Sequence, residues 1–370
     1  MRMTSRPGIT LLAASALVYA AAAFADVGYY INKGRAPYPE AEEGEPEIRM
    51  AAEEVTITIH DHNVNVEAKF DFVNDGDEPR TVGMYFPLNV GTLQLTPEAA
   101  EIIHNPKEYE YTYDVTAEDV TSSFRVGVDG VTVDHELRDI YCDSDGFFDE
   151  VSGNAVWELA FEAGETKRLE CSYDCYYGAS YMPRGCREYF YIVYTGADWK
   201  GPIGQGVITI RPGEGFDWNR PLYARGVAMP PMRVDDDRVE WRFDDFEPVT
   251  PEVESYSDLG DGSGVEVVVP FTRDSYAGEG PPPEGYGVIR GDAVEDLPLY
   301  REPSDSAEPA DGWGFIAEGN SAEIVERRGE WYRVKGVYGD GTTAKGWTRW
   351  YEYDEGTGEE RFFFESITGF

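Results

Sequence analysis

Apolar and polar residues alternate with a period of two along most of the chain after its first fifty positions. The first segments of this kind are VTITIH at 55–60 and VNVEAKFDFVN at 64–74. Such alternation is typical of strands that bury one face. The sequences Asn74–Asp77 and Asp129–Gly130 separate neighbouring segments as hairpin turns do. One short helix is predicted, over Pro97–His104.

Strands that recur at this spacing, with turns rich in Gly and Asp, predict an all-β protein. Its main domain is expected to be an antiparallel β-sandwich over residues 51–275. Residues 26–50 are rich in Gly, Pro and Glu, which predicts a loosely held lead-in. Three consecutive prolines indicate a stiff linker at 276–286. A second set of short strands is predicted over 287–351, before an acidic and aromatic tail at 352–370.

The N-terminal residues 1–25 have the composition of a signal peptide. Arg2 and Arg6 precede an uncharged apolar stretch at Ile9–Ala22, and Ala23–Ala25 has the small-x-small pattern of a cleavage site. The alternative is an uncleaved membrane anchor, but the stretch is short for a span of about 20 residues. We therefore expect an exported protein, periplasmic or extracellular, whose mature chain has no transmembrane segment.

The chain is strongly acidic, with 31 Lys and Arg against 71 Asp and Glu and a net charge of −40. A field of that sign repels phosphate backbones, which argues against nucleic-acid binding. Aromatic residues make up 14% of the chain and supply apolar surface for a core, so the charge does not indicate disorder. Solubility explains the acidity, and cation binding is the functional alternative.

The four cysteines, Cys142, Cys171, Cys175 and Cys186, lie in one stretch of the chain. An even, clustered set in an exported protein predicts two disulfide bonds, and three pairings are open. We favour Cys175–Cys186 closing a short loop and Cys142–Cys171 joining two strand ends. A four-cysteine zinc site is the alternative, yet the usual pair of Cys-x-x-Cys motifs is missing from the sequence.

The second set of strands carries motifs in the order found in bacterial SH3-like domains. LPLYREPS at Leu297–Ser304 stands where that family has its Leu-x-Val-Arg-x-Gly-Pro-Ser opening. GFIAEGNSAEIVE at Gly314–Glu326 is similar to its strand–Gly–strand unit. EWYRVKG at Glu330–Gly336 and KGWTRWY at Lys345–Tyr351 are similar to its Trp-Tyr-x-Val and Gly-Trp strands. The region therefore resembles this family over most of its length.

The resemblance implies a small SH3-like β-barrel that binds a cell-wall component or another envelope protein. Aromatic residues of this region are the ligand-binding candidates, namely Tyr300, Trp331, Trp347, Trp350 and Tyr351. We expect Trp331 and Trp347 to fill the barrel core. The other three are expected at the surface, because a barrel this small cannot bury every ring.

The sandwich region more loosely resembles secreted bacterial families of unknown function. The matching segments are Glu54–Ile59, Phe70–Gly76, Phe86–Pro87 and Tyr194–Gly204. This resemblance implies the fold and export only.

Two groups of residues have some character of metal ligands. His60 and His62 flank Asp61 in a strand-like run, which would place both imidazoles on one face as zinc or copper sites require. Asp143 and Asp145 precede a Gly turn and partly match a calcium loop. Exposed histidines and solvated turn acids are the simpler interpretations. We therefore predict no metal and no cofactor, with calcium as the alternative.

The sequence contains no nucleophile elbow, no phosphate-binding loop and no His-Glu-x-x-His motif, so no catalytic residue is assigned. These observations predict a non-catalytic envelope protein whose SH3-like module binds a wall component or a protein partner. A calcium-binding or other cation-binding surface protein is one alternative. A wall-acting hydrolase that the module targets to its substrate is the other.

Overall fold

The structure is a computed structural model of the whole chain. The residues that it describes are 32–35, 38–39, 47–88, 92–103, 116–144, 149–176, 178–179, 186–193, 196, 199–248, 264–270, 288–310, 314–337 and 342–368. The predicted signal peptide at 1–25 and the predicted linker at 276–286 lie outside these residues.

The described part of the chain up to residue 270 forms one β-sandwich, which we call the sandwich. Its strands are β1 (Asn32–Arg35), β2 (Tyr38–Pro39), β3 (Ile48–Ile59), β4 (Asn63–Asn74), β5 (Arg80–Leu88), β6 (Leu93–Leu95), β7 (Val120–Ser122), β8 (Arg125–Val128), β9 (Val131–Thr132), β10 (Glu136–Ser144), β11 (Asp149–Phe161), β12 (Thr166–Tyr176), β13 (Gly178–Ala179), β14 (Cys186–Ile192), β15 (Ile203–Pro212), β16 (Tyr223–Val227), β17 (Met232–Val234), β18 (Val239–Phe246) and β19 (Gly264–Pro270). A helix α1 (Pro97–Ile103) and a short 3-10 helix (Ala117–Asp119) accompany them. The predicted short helix is therefore confirmed. No helix in the described part of the chain is both long and apolar enough to cross a membrane.

The sandwich is built on a large sheet of eight strands in the order β17-β18-β15-β3-β4-β12-β8-β9. Two smaller sheets, β1-β14-β19-β16 and β10-β11-β5-β2, cover its inner face. Rings from β12, from β5 and from the segment before β8 meet in the core, where Phe86 lies 4.5 Å from Phe124 and 5.3 Å from Tyr173 between ring centroids. The predicted sandwich is confirmed. It is not wholly antiparallel, since β15 pairs with β3 in parallel and β1 pairs with β14 in parallel.

The predicted turns are confirmed and have clear structural reasons. Asp129 and Gly130 both have positive φ, 51° and 77°, as the two-residue turn of the β8–β9 hairpin requires. Asn74 is fully buried at the end of β4, where its side-chain amide donates to the carbonyls of Glu78 (2.8 Å) and Glu162 (3.0 Å). The Asn74 side chain therefore connects two chain segments.

The lead-in predicted at 26–50 is wrong in its described part. There β1 and β2 add strands to the two smaller sheets, and β3 begins at Ile48. These short strands lack the alternation that marks β3 and β4, so their partners rather than their own sequence determine their conformation.

The remaining strands form a C-terminal unit, whose main sheet has the order β25-β24-β23-β20-β28. Its strands are β20 (Ile289–Ala293), β21 (Leu297–Pro298), β22 (Phe315–Ile316), β23 (Ser321–Arg328), β24 (Trp331–Val337), β25 (Thr343–Arg349), β26 (Tyr351–Asp354), β27 (Glu359–Phe362) and β28 (Phe364–Thr368). The described strands do not close into the predicted barrel. The predicted tail at 352–370 instead supplies three strands, and β28 extends the sheet through its pairing with β20.

The C-terminal unit packs directly against the sandwich. Tyr332 donates its hydroxyl hydrogen to the carbonyl of Leu222, and Tyr351 donates to the carbonyl of Met232. Arg327 is 1% exposed and donates to the carbonyl of Trp218 at 3.1 Å. One continuous hydrophobic core therefore includes residues of both units.

Candidate functional site

The five aromatic ligand-binding candidates divide between two faces of the C-terminal unit. Neighbouring residues of a strand point to opposite faces, so Trp331 and Tyr332 at the start of β24 are directed apart. Tyr332 contacts the sandwich. Trp331 therefore lies on the face directed away from the sandwich, and Trp347 shares that face because it pairs with Arg333, two positions after Trp331.

Tyr300 joins these two tryptophans. Its backbone N–H donates to the Trp347 carbonyl at 2.7 Å, and the Trp347 N–H donates to the Tyr300 carbonyl at 2.8 Å. The Tyr300 ring meets the Trp331 ring edge to face, with the centroids 5.7 Å apart and an angle of 86°. These backbone bonds hold the loop after β21 against β25.

Two arginines cover the tryptophan rings. The guanidinium of Arg349 lies 5.3 Å from the centroid of Trp331, and that of Arg328 lies 5.0 Å from the centroid of Trp347. Each tryptophan is 7% exposed. Tyr300, Arg328, Trp331, Trp347 and Arg349 together are called the Trp331/Trp347 face below. Both tryptophan rings are therefore buried in the structure, as expected from the sequence, and a ligand could stack on them only if the arginine side chains moved aside.

Carboxylates around this face pair with its arginines. Arg349 bonds to Asp305 and lies 3.3 Å from Glu330, and Arg328 lies 2.8 Å from Glu326. Burial raises the pKa of Glu330, although Arg349 opposes the shift. Burial also acts on Glu326, but hydrogen bonds from Arg328 and Arg333 hold its pKa below the ordinary value. The arginines of the face are thus engaged in ion pairs with neighbouring carboxylates.

The expectation that Trp350 and Tyr351 lie at the surface is wrong. Trp350 is 1% exposed and Tyr351 is 3% exposed. Trp350 packs between Tyr332 and Tyr223 of the sandwich, with centroid separations of 5.1 and 6.0 Å. A free barrel would leave these rings in solvent, whereas the docked unit uses them as the contact with the sandwich.

The two candidate histidines lie in a turn instead of a strand. Residues 60–62 connect β3 to β4, and the His60 N–H donates to the carbonyl of Asn63, the first residue of β4, at 2.9 Å. His60 packs against the backbone of Gly213, and His62 is exposed. Asp61, between them, pairs with Arg220 at 2.8 Å. The predicted common face for both imidazoles is therefore absent.

The other metal and cysteine predictions are only partly described. The side chains of Asp143, Cys142 and Cys186, and all of Asp145, lie outside the described residues. Cys171 is a buried free thiol, so the predicted Cys142–Cys171 bond is not formed in the structure. The pairing of Cys175 with Cys186 stays a prediction.

Sequence reasoning missed a buried polar cluster in the sandwich core. Glu53 is 2% exposed on the inner face of β3 and accepts a hydrogen bond from the Tyr191 hydroxyl at 3.0 Å. Tyr173 and Tyr189, also buried, lie close enough to Tyr191 and to each other to influence their ionisation. The alternation of apolar and polar residues along β3 could have indicated this cluster, because Glu53 occupies a position at which the pattern predicts an apolar residue.

The outer face of the large sheet carries two adjoining depressions of about 390 and 330 Å³. Both include Glu54 and Lys69. Register places Lys69 between Glu54 and Glu170 on neighbouring strands, which is a cross-strand arrangement that stabilises a sheet. The charges of this face therefore have a structural explanation. Within the described residues, no three His, Cys, Asp or Glu side chains converge as a metal site would need.

No protein-family model and no curated protein sequence matches this chain. Among solved structures, a candidate nutrient-binding protein from Legionella pneumophila is 18% identical, with a TM-score of 0.43, and the match covers 66% of this chain and 73% of that protein. A candidate protease from Parabacteroides distasonis is 11% identical, with a TM-score of 0.31 and coverage of 82% and 72%. An M1 zinc metallopeptidase from Deinococcus radiodurans is 10% identical, with a TM-score of 0.25, and the chain spans 46% of that enzyme's length. At these similarities neither an activity nor a ligand transfers to this chain, which stands as an all-β protein with two packed units.

Proposed function

We propose that the protein is an exported, non-catalytic envelope protein that binds a cell-wall component through the Trp331/Trp347 face. The observation that carries this proposal is the placement of two tryptophans and Tyr300 on the face of the C-terminal unit directed away from the sandwich. Flat aromatic rings offer stacking area to sugar rings and to peptide planes.

The arginines of the face add selectivity for carboxylate groups. Arg328 and Arg349 now pair with Glu326 and Asp305, whose side chains are partly or largely exposed. Exposed ion pairs contribute about 0–1 kcal/mol each, so a ligand carboxylate can replace an internal partner at small cost. A bidentate guanidinium–carboxylate contact would then orient the ligand over the rings.

The distribution of charge supports the same face. Residues 287–368 contain nine Lys and Arg and eighteen Asp and Glu, so the C-terminal unit carries −9 and most of the net charge of −40 belongs to the sandwich. An anionic polymer is therefore repelled less by the C-terminal unit as a whole than by the sandwich. The packing of Trp350 against Tyr223 also fixes the direction in which the Trp331/Trp347 face is presented.

Co-sedimentation of the full mature chain with purified cell wall tests the proposal. A Trp331→Leu/Trp347→Leu double variant should reduce the bound fraction at least about tenfold, because stacking on aromatic rings contributes 1 kcal/mol or more per ring. Trp199→Leu is the matched control, since Trp199 is 3% exposed and belongs to the sandwich. Thermal unfolding of each variant confirms that it is folded.

Binding of the wild-type chain no stronger than that of an unrelated acidic protein would refute the proposal. Equal binding by the double variant and the wild type would refute the assigned face. If wall stripped of its associated proteins no longer binds while untreated envelope does, the partner is a protein and the wall assignment is wrong.

A further inference from the structure

Glu53 connects the two layers of the sandwich by a single side-chain contact. It lies on β3 of the large sheet, and its Oε1 accepts the hydroxyl hydrogen of Tyr191 on β14 at 3.0 Å. Glu53 is 2% exposed and Tyr191 is fully buried. The bond therefore crosses the core from one sheet to the other.

The groups that face Glu53 from the elements packed against it carry no positive charge. Its cross-strand partners are Phe70 on β4 and Gly206 on β15. The titratable groups near Glu53 are one thiol and three phenols of β12 and β14, which influence one another's ionisation. They are Cys171, Tyr173, Tyr189 and Tyr191. The basic residues nearest in register, Lys69 and Arg168, are exposed on the outer face of the same sheet.

One oxygen of this cluster, Oε2 of Glu53, lacks a hydrogen-bond partner among the described residues. The buried hydroxyls of Tyr173 and Tyr189 lie close enough to influence each other's ionisation. A buried polar atom left without a partner costs about 1–3 kcal/mol. A bare carboxylate in this position would cost considerably more than a neutral carboxyl group.

Burial accordingly raises the pKa of Glu53 to about 7, although the hydrogen bond from Tyr191 opposes the shift. Burial also raises the pKa values of Tyr173, Tyr189, Tyr191 and Cys171, so these groups stay neutral. Glu53 is thus the member of the cluster that changes charge near neutral pH.

We propose that Glu53 is a proton-operated tie between the two layers of the sandwich, which holds the layers together when neutral and loosens them when ionised. In the neutral form the carboxyl group accepts from Tyr191 and no charge is buried. In the ionised form the Tyr191 hydrogen bond offsets only part of the cost of a full negative charge that faces apolar side chains without a cation. The device is separate from the Trp331/Trp347 face.

The direction of the pH dependence follows from the two pKa values of Glu53. The folded state holds the proton more tightly than the unfolded state, for which 4.5 is the ordinary value. The stabilising contribution is complete below about pH 4.5 and is lost as the pH rises through about 7. Across that window the folded-to-unfolded ratio attributable to Glu53 falls by roughly 300-fold.

Urea unfolding of the mature chain between pH 4.5 and 8.5 tests the proposal, with the wild type compared with Glu53→Gln. The ratio of their unfolding constants should change by roughly 150-fold between pH 4.5 and 8.5, because glutamine cannot ionise and half of the Glu53 carboxyl groups in the unfolded state are already ionised at pH 4.5. Glu54→Gln is the matched control, since Glu54 is the next residue of β3 and is exposed on the outer face. A change in ratio below about threefold for Glu53→Gln overturns the proposal.

Infrared spectroscopy tests the proposal on the wild type, so it does not depend on whether Glu53→Gln folds. The wild type should show a protonated-carboxyl band at pH 6 that disappears near neutral pH. Tyr191→Phe should move this transition to higher pH, because the Tyr191 hydroxyl lowers the pKa of Glu53.

Amide hydrogen exchange tests the loosening itself. Above pH 8, amide exchange corrected for intrinsic rates should quicken more in β3 and β14 than in β23 and β24. An unchanged transition in Tyr191→Phe, or no preferential loosening of β3 and β14, contradicts the proposal.

Discussion

Glu53 in the sandwich core and Arg327 at the contact between the two units are both ionisable side chains with almost no exposed surface. Arg327 donates to the Trp218 carbonyl and lies 4.2 Å from the centroid of the Trp218 ring. Glu53 has one phenol as its partner. The two sites show two outcomes of burying a charge in the same protein.

The difference lies in how far each side chain can keep its charge. Burial lowers the pKa of Arg327 to about 10, which still leaves the guanidinium charged at neutral pH. Backbone carbonyls and an indole ring are suitable partners for a delocalised cation. Burial shifts the pKa of Glu53 by a similar amount, but from an ordinary value of 4.5 to about 7, so its carboxyl group loses its charge near neutral pH. The guanidinium stays charged because its ordinary pKa lies far above neutrality.

The strongest test of this comparison is Arg327→Ala, for which we expect a loss of about 4 kcal/mol in the free energy of unfolding. The substitution leaves the Trp218 carbonyl unpaired and opens a cavity between the units. Urea unfolding measures the loss, which should be the same at pH 5 and pH 8, in contrast to the effect of Glu53→Gln. Arg327→Met keeps most of the packing and should lose only about 1 kcal/mol. Equal losses for both variants would mean that the polar contacts of the guanidinium, and not its packing, hold the contact.

A buried polar group without charge sharpens the comparison. Asn74→Ala removes the amide that donates to Glu78 and Glu162 and the oxygen that accepts from the Gly76 N–H at 3.0 Å. We expect a loss of about 2 kcal/mol, independent of pH, because each lost hydrogen bond contributes about 1 kcal/mol and one carbonyl can turn to water. A loss that varied with pH would show that charge at this turn had been overlooked.

The smallest effect is expected for His135, whose contribution to the stability of the folded state depends on pH in the opposite direction from that of Glu53. Burial lowers the pKa of His135, which contacts Phe124 edge to face at 5.3 Å, while Asp134 opposes the shift. The folded state therefore binds this proton less tightly, and stability is lost as the pH falls below 6.5 through the lower folded value. His135→Gln should flatten the acidic side of the stability profile and leave the alkaline side unchanged. A change on the alkaline side would mean that the transition near neutral pH had been attributed wrongly to Glu53.

The alternation of β3 and β4 and the Asp129–Gly130 turn were readable from the sequence, because the period of two and the positive φ of a hairpin turn are local properties. The Trp331/Trp347 face was readable only in part. The resemblance indicated an aromatic module, but it could not show that Trp350 and Tyr351 would face Tyr223 and Met232. The sandwich supplies that surface from strands more than a hundred residues away in the sequence.

What the sequence determined by itself is the fold class, since the long strands carry their own apolar stripes and the hairpin turns their own permissive residues. Only the tertiary structure decided which layer meets which, and therefore that Glu53 lies opposite Tyr191 and Arg327 beneath Trp218. The reason is physical. An alternating pattern specifies that a side chain points inward, but the groups it meets there, and hence its charge, depend on the packing of distant strands.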